Sequence, residues 1–143
     1  MKTIKIVLLV LFVPLAPFIS WVGGVLWSNA HPNIGENVKT VKWLPVEAAK
    51  ISYYKTYSNT AYEFDISESG FRKWAARWAF QPIKEPRKIE RYSFFTANKA
   101  PPSAYATVTN GLYYYKYLTN YCGSVHVVYD SDNGRAYFKM NPR

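Results

Sequence analysis

The sequence predicts an α+β fold. One small antiparallel β-sheet carries a single amphipathic helix on one face, behind an N-terminal membrane-spanning or signal-anchor helix. Three observations predict it: an uncharged run from Ile6 to Trp27, one apolar stripe at helical spacing between Ser67 and Phe80, and a C-terminal third of short strand-like segments separated by turn residues. The 143 residues suffice for one domain, and 13 Tyr, 8 Phe and 5 Trp are too many aromatics for a disordered chain. A single Cys excludes a disulfide framework and a Cys-built zinc site, and two His leave little for a His-based metal centre. No cofactor and no metal are expected.

The N-terminus reads as an address. Residues 1–5 are basic and residues 6–27 are uncharged, long enough for the roughly 20 apolar residues of a spanning helix. Pro14 and Pro17 would kink such a helix, and Trp21 and Trp27 suit its outer half. The alternative is secretion after cleavage near Ala30, where Ser28 and Ala30 place small residues at −3 and −1. Lys2 and Lys5 favour an N-terminus inside, with residues 31–143 periplasmic, extracellular or lumenal. Those residues keep sixteen Lys and Arg against all nine acids, a net +7. No Cys follows the apolar run for lipoprotein attachment, and no Asn-x-Ser/Thr sequon occurs.

Residues 28–43 read as a stem and 44–143 as the exported domain. Ile51–Tyr57 and Tyr62–Ile66 are strands joined by a Ser58–Thr60 turn, with Tyr62, Phe64 and Ile66 on one face and Glu63 and Asp65 on the other. In the helix, Ser67 is the N-cap, Phe71, Trp74, Ala75 and Trp78 form the stripe, and Pro82 ends it. A meander of Tyr105–Thr109, Leu112–Leu118, Val125–Tyr129 and Arg135–Met140 completes the order β-β-α-β-β-β-β, with Ile89–Phe95 a further strand candidate. Asn110-Gly111 is a strong hairpin signal.

Pairing Asp130 with Arg135 sets Val125, Val127 and Tyr129 against Met140, Phe138 and Ala136 on a core face. Extending it pairs Leu118 with Val125 and His126 with Tyr117. The reverse face then gathers Tyr113, Tyr115, Tyr117, His126, Arg135, Tyr137 and Lys139, the candidate binding face. Lys116 falls on the core side, which a shifted register or an edge position would relieve. Two plainer readings stand beside this: Ile51–Tyr57 or the stem folds over that face, or the tyrosines are strand formers with hydroxyls in water.

The cations Arg72, Lys73, Arg77, Lys84, Arg87, Lys88 and Arg91 are candidates for contact with anionic surfaces, although a solvated helix face and loop is the favoured, plainer reading. Outside the membrane such a stretch suits anionic polymers or lipid headgroups and disfavours nucleic acid. Asp130-Ser-Asp132-Asn-Gly134 resembles the start of a calcium loop, but position 12 is Asn141 rather than Glu, so it reads as a turn. Cys122 and His126 stand about 13 Å apart along a strand, too far for a catalytic pair. No Gly-x-Ser-x-Gly elbow and no Gly-rich phosphate loop occur.

The function expected is therefore a membrane-anchored interaction domain binding a protein partner or itself through the aromatic face. The alternatives are a small envelope hydrolase or an accessory to one, and a cell-wall or glycan polymer-binding module stacking sugar rings on Tyr113, Tyr115 and Tyr117.

Overall fold

The computed structural model describes residues 16–91, 105–119 and 123–141. It is a small antiparallel β-sheet protein with two helices, mostly sheet. Two compact units are distinguished, residues 1–32 and 33–143.

In the first unit, helix α1 runs Ala16–Ala30. Its end is tied by a stack of Trp27 on His31 at 3.8 Å and by the His31 backbone N–H donating to the Trp27 carbonyl. Fifteen residues reach about 22 Å at 1.5 Å each, short of a ~30 Å hydrocarbon core. Among the described residues no helix is long and apolar enough to cross a membrane. The expected spanning helix is thus not observed there; its first ten residues, 6–15, lie outside the described residues.

The second unit is built on a seven-stranded sheet. Its strands are β1 (Asn33–Val38), β2 (Ala49–Lys55), β3 (Thr60–Asp65), β4 (Gln81–Pro82), β7 (Gly111–Leu118), β8 (Gly123–Asp130) and β9 (Arg135–Asn141), in the order β1-β2-β3-β9-β8-β7-β4. A separate two-stranded ribbon pairs β5 (Arg87–Glu90) with β6 (Tyr105–Val108). Helix α2 covers Glu68–Trp74.

The stretch expected as a stem contributes structure. Its residues 33–38 form the edge strand β1, whose register slips between Gly35 and Val38, and Trp43 packs edge-on against Tyr62 and Phe138 at 4.8 and 4.9 Å. A short, polar, irregular edge strand offers no clean alternation to read. Helix α2 is half the expected length. Ser67 caps it as anticipated, its Oγ accepting from the Gly70 N–H at 3.2 Å. Beyond Ala75 the chain tightens into a turn closed by Trp78 N–H to the Ala75 carbonyl, and Gln81–Pro82 is recruited as edge strand β4 against Tyr113 and Leu112. Proline is tolerated there because an edge strand can leave one side without a donor. The expected stripe still faces inward: Phe71 and Ala75 are buried, and Trp74 and Trp78 pack on the same core with Phe64, Val127, Tyr129 and Phe138.

The β8–β9 register is as anticipated, Asp130 opposite Arg135 through Val125 opposite Met140. The β7–β8 register differs. Leu118 pairs with Gly123, Tyr117 with Ser124 and Tyr115 with His126, two residues from the expected pairing. The turn begins one residue earlier than expected, which moves each partner by two and leaves every side chain on its expected face. Residues 120–122, including Cys122, lie outside the described residues, as do 92–95 of the Ile89–Phe95 candidate and the 99–103 loop.

Asn110-Gly111 does not close a hairpin. Among the described residues β6 pairs only with β5, and Gly111 is where the chain steps from ribbon to main sheet. Gly111 has φ +150°, and a Cβ there would meet the Tyr129 carbonyl oxygen at 1.9 Å, so close backbone approach is what requires glycine.

Candidate functional site

The back of the sheet, opposite α2, is organised in rows that cross the strands. One row runs Tyr113, Val128, Tyr137 and Glu63 over β7, β8, β9 and β3; the next runs Tyr115, His126 and Lys139; a third runs Tyr117, Ser124 and Asn141. The ribbon lies over the first row. Ile89, Ala106 and Val108 pack with Val128, Tyr137 and Tyr113 in a second, smaller core. The face expected to be an open aromatic platform is therefore covered along one row, by a segment other than the two foreseen as possible covers.

What remains between ribbon and sheet is a cleft of about 550 Å³, within the range of ordinary ligand sites. The sheet contributes Tyr113, His126, Tyr137, Lys139 and Asn141, and the ribbon contributes Arg87, Lys88, Glu90 and Tyr105. The Arg87 guanidinium sits 3.6 Å over the centre of the Tyr113 ring, and Lys88 Nζ lies 5.2 Å from the Tyr105 ring centre. Such contacts hold a cation by the ring's negative face without neutralising it. Lys139 crosses from sheet to ribbon to donate to Glu90. The Asn141 Oδ1 is shielded from solvent and has no hydrogen-bond partner among the described residues.

Below the cleft, Glu63 is 2% exposed and holds two arginines: Arg91 Nε donates to its Oε2 at 3.1 Å and Arg135 Nη2 approaches its Oε1 at 3.2 Å. Arg135 also donates to Asp65, which Lys50 Nζ contacts at 3.0 Å. Burial alone would raise the Asp65 pKa; hydrogen bonds from Lys50 and Arg135 outweigh it and hold the carboxyl below its ordinary value. Since Arg91 immediately follows β5, this network pins the ribbon's base to the sheet.

The predicted residues thus divide. Tyr113 and Tyr137 are half-buried and buried beneath the ribbon, and burial pushes the Tyr137 phenol upward. Tyr115 and Tyr117 stay 46% and 54% exposed, Tyr115 meeting the His126 ring edge-on at 4.5 Å. Arg135 serves the ion network rather than an open face. Among the basic candidates, Arg72 pairs with Glu68 along α2, Lys73 is exposed on the same helix, Arg77 lies 4.8 Å over Trp78, and Lys84 is exposed on the connection to the ribbon. Arg87, Lys88 and Arg91 join the tyrosine face. Sequence reasoning missed Glu63, Glu90, Tyr105 and Asn141. The one available signal was alternation, which set Glu63 on the tyrosine side of the sheet.

No known family, curated protein or solved structure matches the chain. Function therefore rests on the site itself. Among the described residues no group of three His, Cys, Asp or Glu gathers as a metal would require. In the Asp130–Gly134 turn, Asp130 accepts from the Asp132 and Asn133 N–H groups and from the Asn133 amide, and Asp132 accepts from Asn110.

Proposed function

We propose that residues 33–143 form a binding module that takes an anionic glycan in the cleft between the ribbon and the back of the sheet. The observation that carries this is Arg87 stacked on Tyr113 at the cleft, beside Lys88 on Tyr105, neither cation having a carboxylate partner among the described residues. A guanidinium held over a ring by cation–π attraction keeps N–H donors for a carboxylate or sulfate, which it can engage in a bidentate way. Exposed tyrosine faces suit sugar rings. On this reading the basic start and the uncharged Ile6–Trp27 run deliver the module outside a membrane, where such polymers lie.

The full chain is expected to bind dextran sulfate and not uncharged dextran. The double variant Arg87→Ser/Lys88→Ser should lose affinity by about a hundredfold or more, at roughly 1.5–3 kcal/mol for the charged hydrogen bond of each cation, with its urea midpoint unchanged. Equal binding of both polymers, or an unaffected variant, would contradict the reading.

A second reading, a protein partner or second copy, is favoured by one feature. Tyr115 and Tyr117 are exposed on β7, and beyond Tyr113 the outer edge of that strand has no strand partner among the described residues. It requires light scattering of the full chain to show an oligomer that Tyr115→Ser/Tyr117→Ser converts to a folded monomer; a wild-type monomer removes self-association.

A further inference from the structure

We propose that anion capture in this cleft is coupled to proton uptake by His126, so that the module binds more tightly as pH falls. This rests on the cleft being the anion site and adds how that site is regulated. His126 occupies the middle of the row Tyr115–His126–Lys139, half-buried, with a strand neighbour on each side. From β7 it makes an edge-to-face contact with Tyr115 at 4.5 Å between ring centres. On β9 its cross-strand partner is Lys139, and Arg87 of the ribbon lines the same cleft.

Of these cations Lys139 has a carboxylate partner in Glu90, whereas Arg87 has none among the described residues. Glu90 is engaged by Lys139, and Glu63 by Arg91 and Arg135. Lys88 adds a further positive charge on β5, and Tyr105 on β6 and Tyr137 on β9 are phenols. The field at His126 is therefore positive. Burial first, then Lys139 and Arg87, hold its pKa below the ordinary 6.5. Both effects favour the uncharged imidazole in the free protein.

A bound sulfate or carboxylate beside Arg87 adds negative charge to that field. The imidazolium then gains a partner, and one proton passes from solvent to the ring nitrogen on binding. By linkage, every unit by which the ligand raises the His126 pKa appears as about tenfold in affinity between the alkaline and acidic limits. The same lowered pKa has a consequence for the free protein. The unfolded chain binds the proton more tightly, so stability is present above pH 6.5 and is lost as pH falls through the folded value; saturating ligand should cancel that loss.

The test uses the full chain and a sulfated disaccharide, whose charge does not titrate near neutrality. His31 and His126 are the two histidines, so two imidazole Hε1 resonances are followed by NMR from pH 4.5 to 8.5, with His126→Gln assigning them. The expected result is a His126 pKa below 6.5 in the free protein, raised by about one unit or more at saturation. Affinity should be about tenfold higher at pH 5 than at pH 7.5, and His126→Gln should hold a pH-independent affinity near the wild-type value at pH 7.5. Lys139→Gln should raise the His126 pKa with no ligand present, a readout independent of binding. Binding at both pH values with an unmoved His126 titration overturns the coupling alone. Absence of binding at either pH overturns the anionic-ligand reading and the coupling with it.

Discussion

Truncating Phe71 to alanine is expected to destabilise the domain by about 3–5 kcal/mol, the range for emptying a buried aromatic site. Phe71 is fully buried, stacked on Tyr129 at 4.7 Å and set against Phe80 at 5.1 Å and Trp74 at 5.9 Å. It sits on a helix of seven residues, too short to persist by itself. Packing on the sheet is what keeps α2 helical, and Phe71 is its anchor. Phe71→Leu, which retains most of the volume, should lose only about 1 kcal/mol. Urea unfolding followed by tryptophan fluorescence measures both. A loss below about 1 kcal/mol for the alanine variant would mean that α2 does not depend on this contact.

Replacing Glu63 with alanine should be nearly as damaging, at about 3 kcal/mol, because it removes the buried carboxylate that Arg91 and Arg135 share. The effect differs from that at Phe71 in where it is felt. Arg91 and Arg135 both reach Glu63, and Arg91 is joined directly to β5. Loss of the carboxylate frees the base of the ribbon and exposes Val128 and Tyr137 beneath it. Hydrogen exchange should therefore quicken at Arg87–Glu90 and Tyr105–Val108 more than in β2 or β3. Uniform quickening across the sheet would show that Glu63 supports the whole domain and not the ribbon in particular.

The parts of this fold legible in the sequence are those fixed by local patterns. The β8–β9 hairpin follows from matched apolar positions on either side of a four-residue turn. The face carrying Tyr113, Tyr115 and Tyr117 survives a two-residue error in partner, because strand side chains repeat every two residues. The Ser67 cap is similarly local.

What was not legible depends on distant pairing. Asn110-Gly111 has the composition of a two-residue turn, yet Gly111 serves a close approach to the Tyr129 carbonyl contributed by another strand. Strand β1 is polar, and only its neighbour β2 makes it a strand. Tyr105–Thr109 is legible as a strand and forms β6, but its pairing with Arg87–Glu90 and the ribbon's place over the sheet are the decisive omission. Arg87-Lys88-Ile89-Glu90 carries one apolar residue, so nothing local marks it as cover for an aromatic face. With it in place the aromatic and basic sets, separate along the chain, become one cleft, and a flat aromatic platform becomes two exposed tyrosines at its side.

The measurement that tests the account most directly is an NMR perturbation map of the full chain titrated with short dextran sulfate. The binding-module reading predicts the largest shifts at Arg87, Lys88, His126 and Lys139, with Arg72, Lys73 and Arg77 on the opposite side of the sheet nearly unmoved. Shifts centred on Arg72, Lys73 and Arg77, or spread evenly over every lysine and arginine, would mean that the polymer sees only a basic surface and that the cleft is not its site.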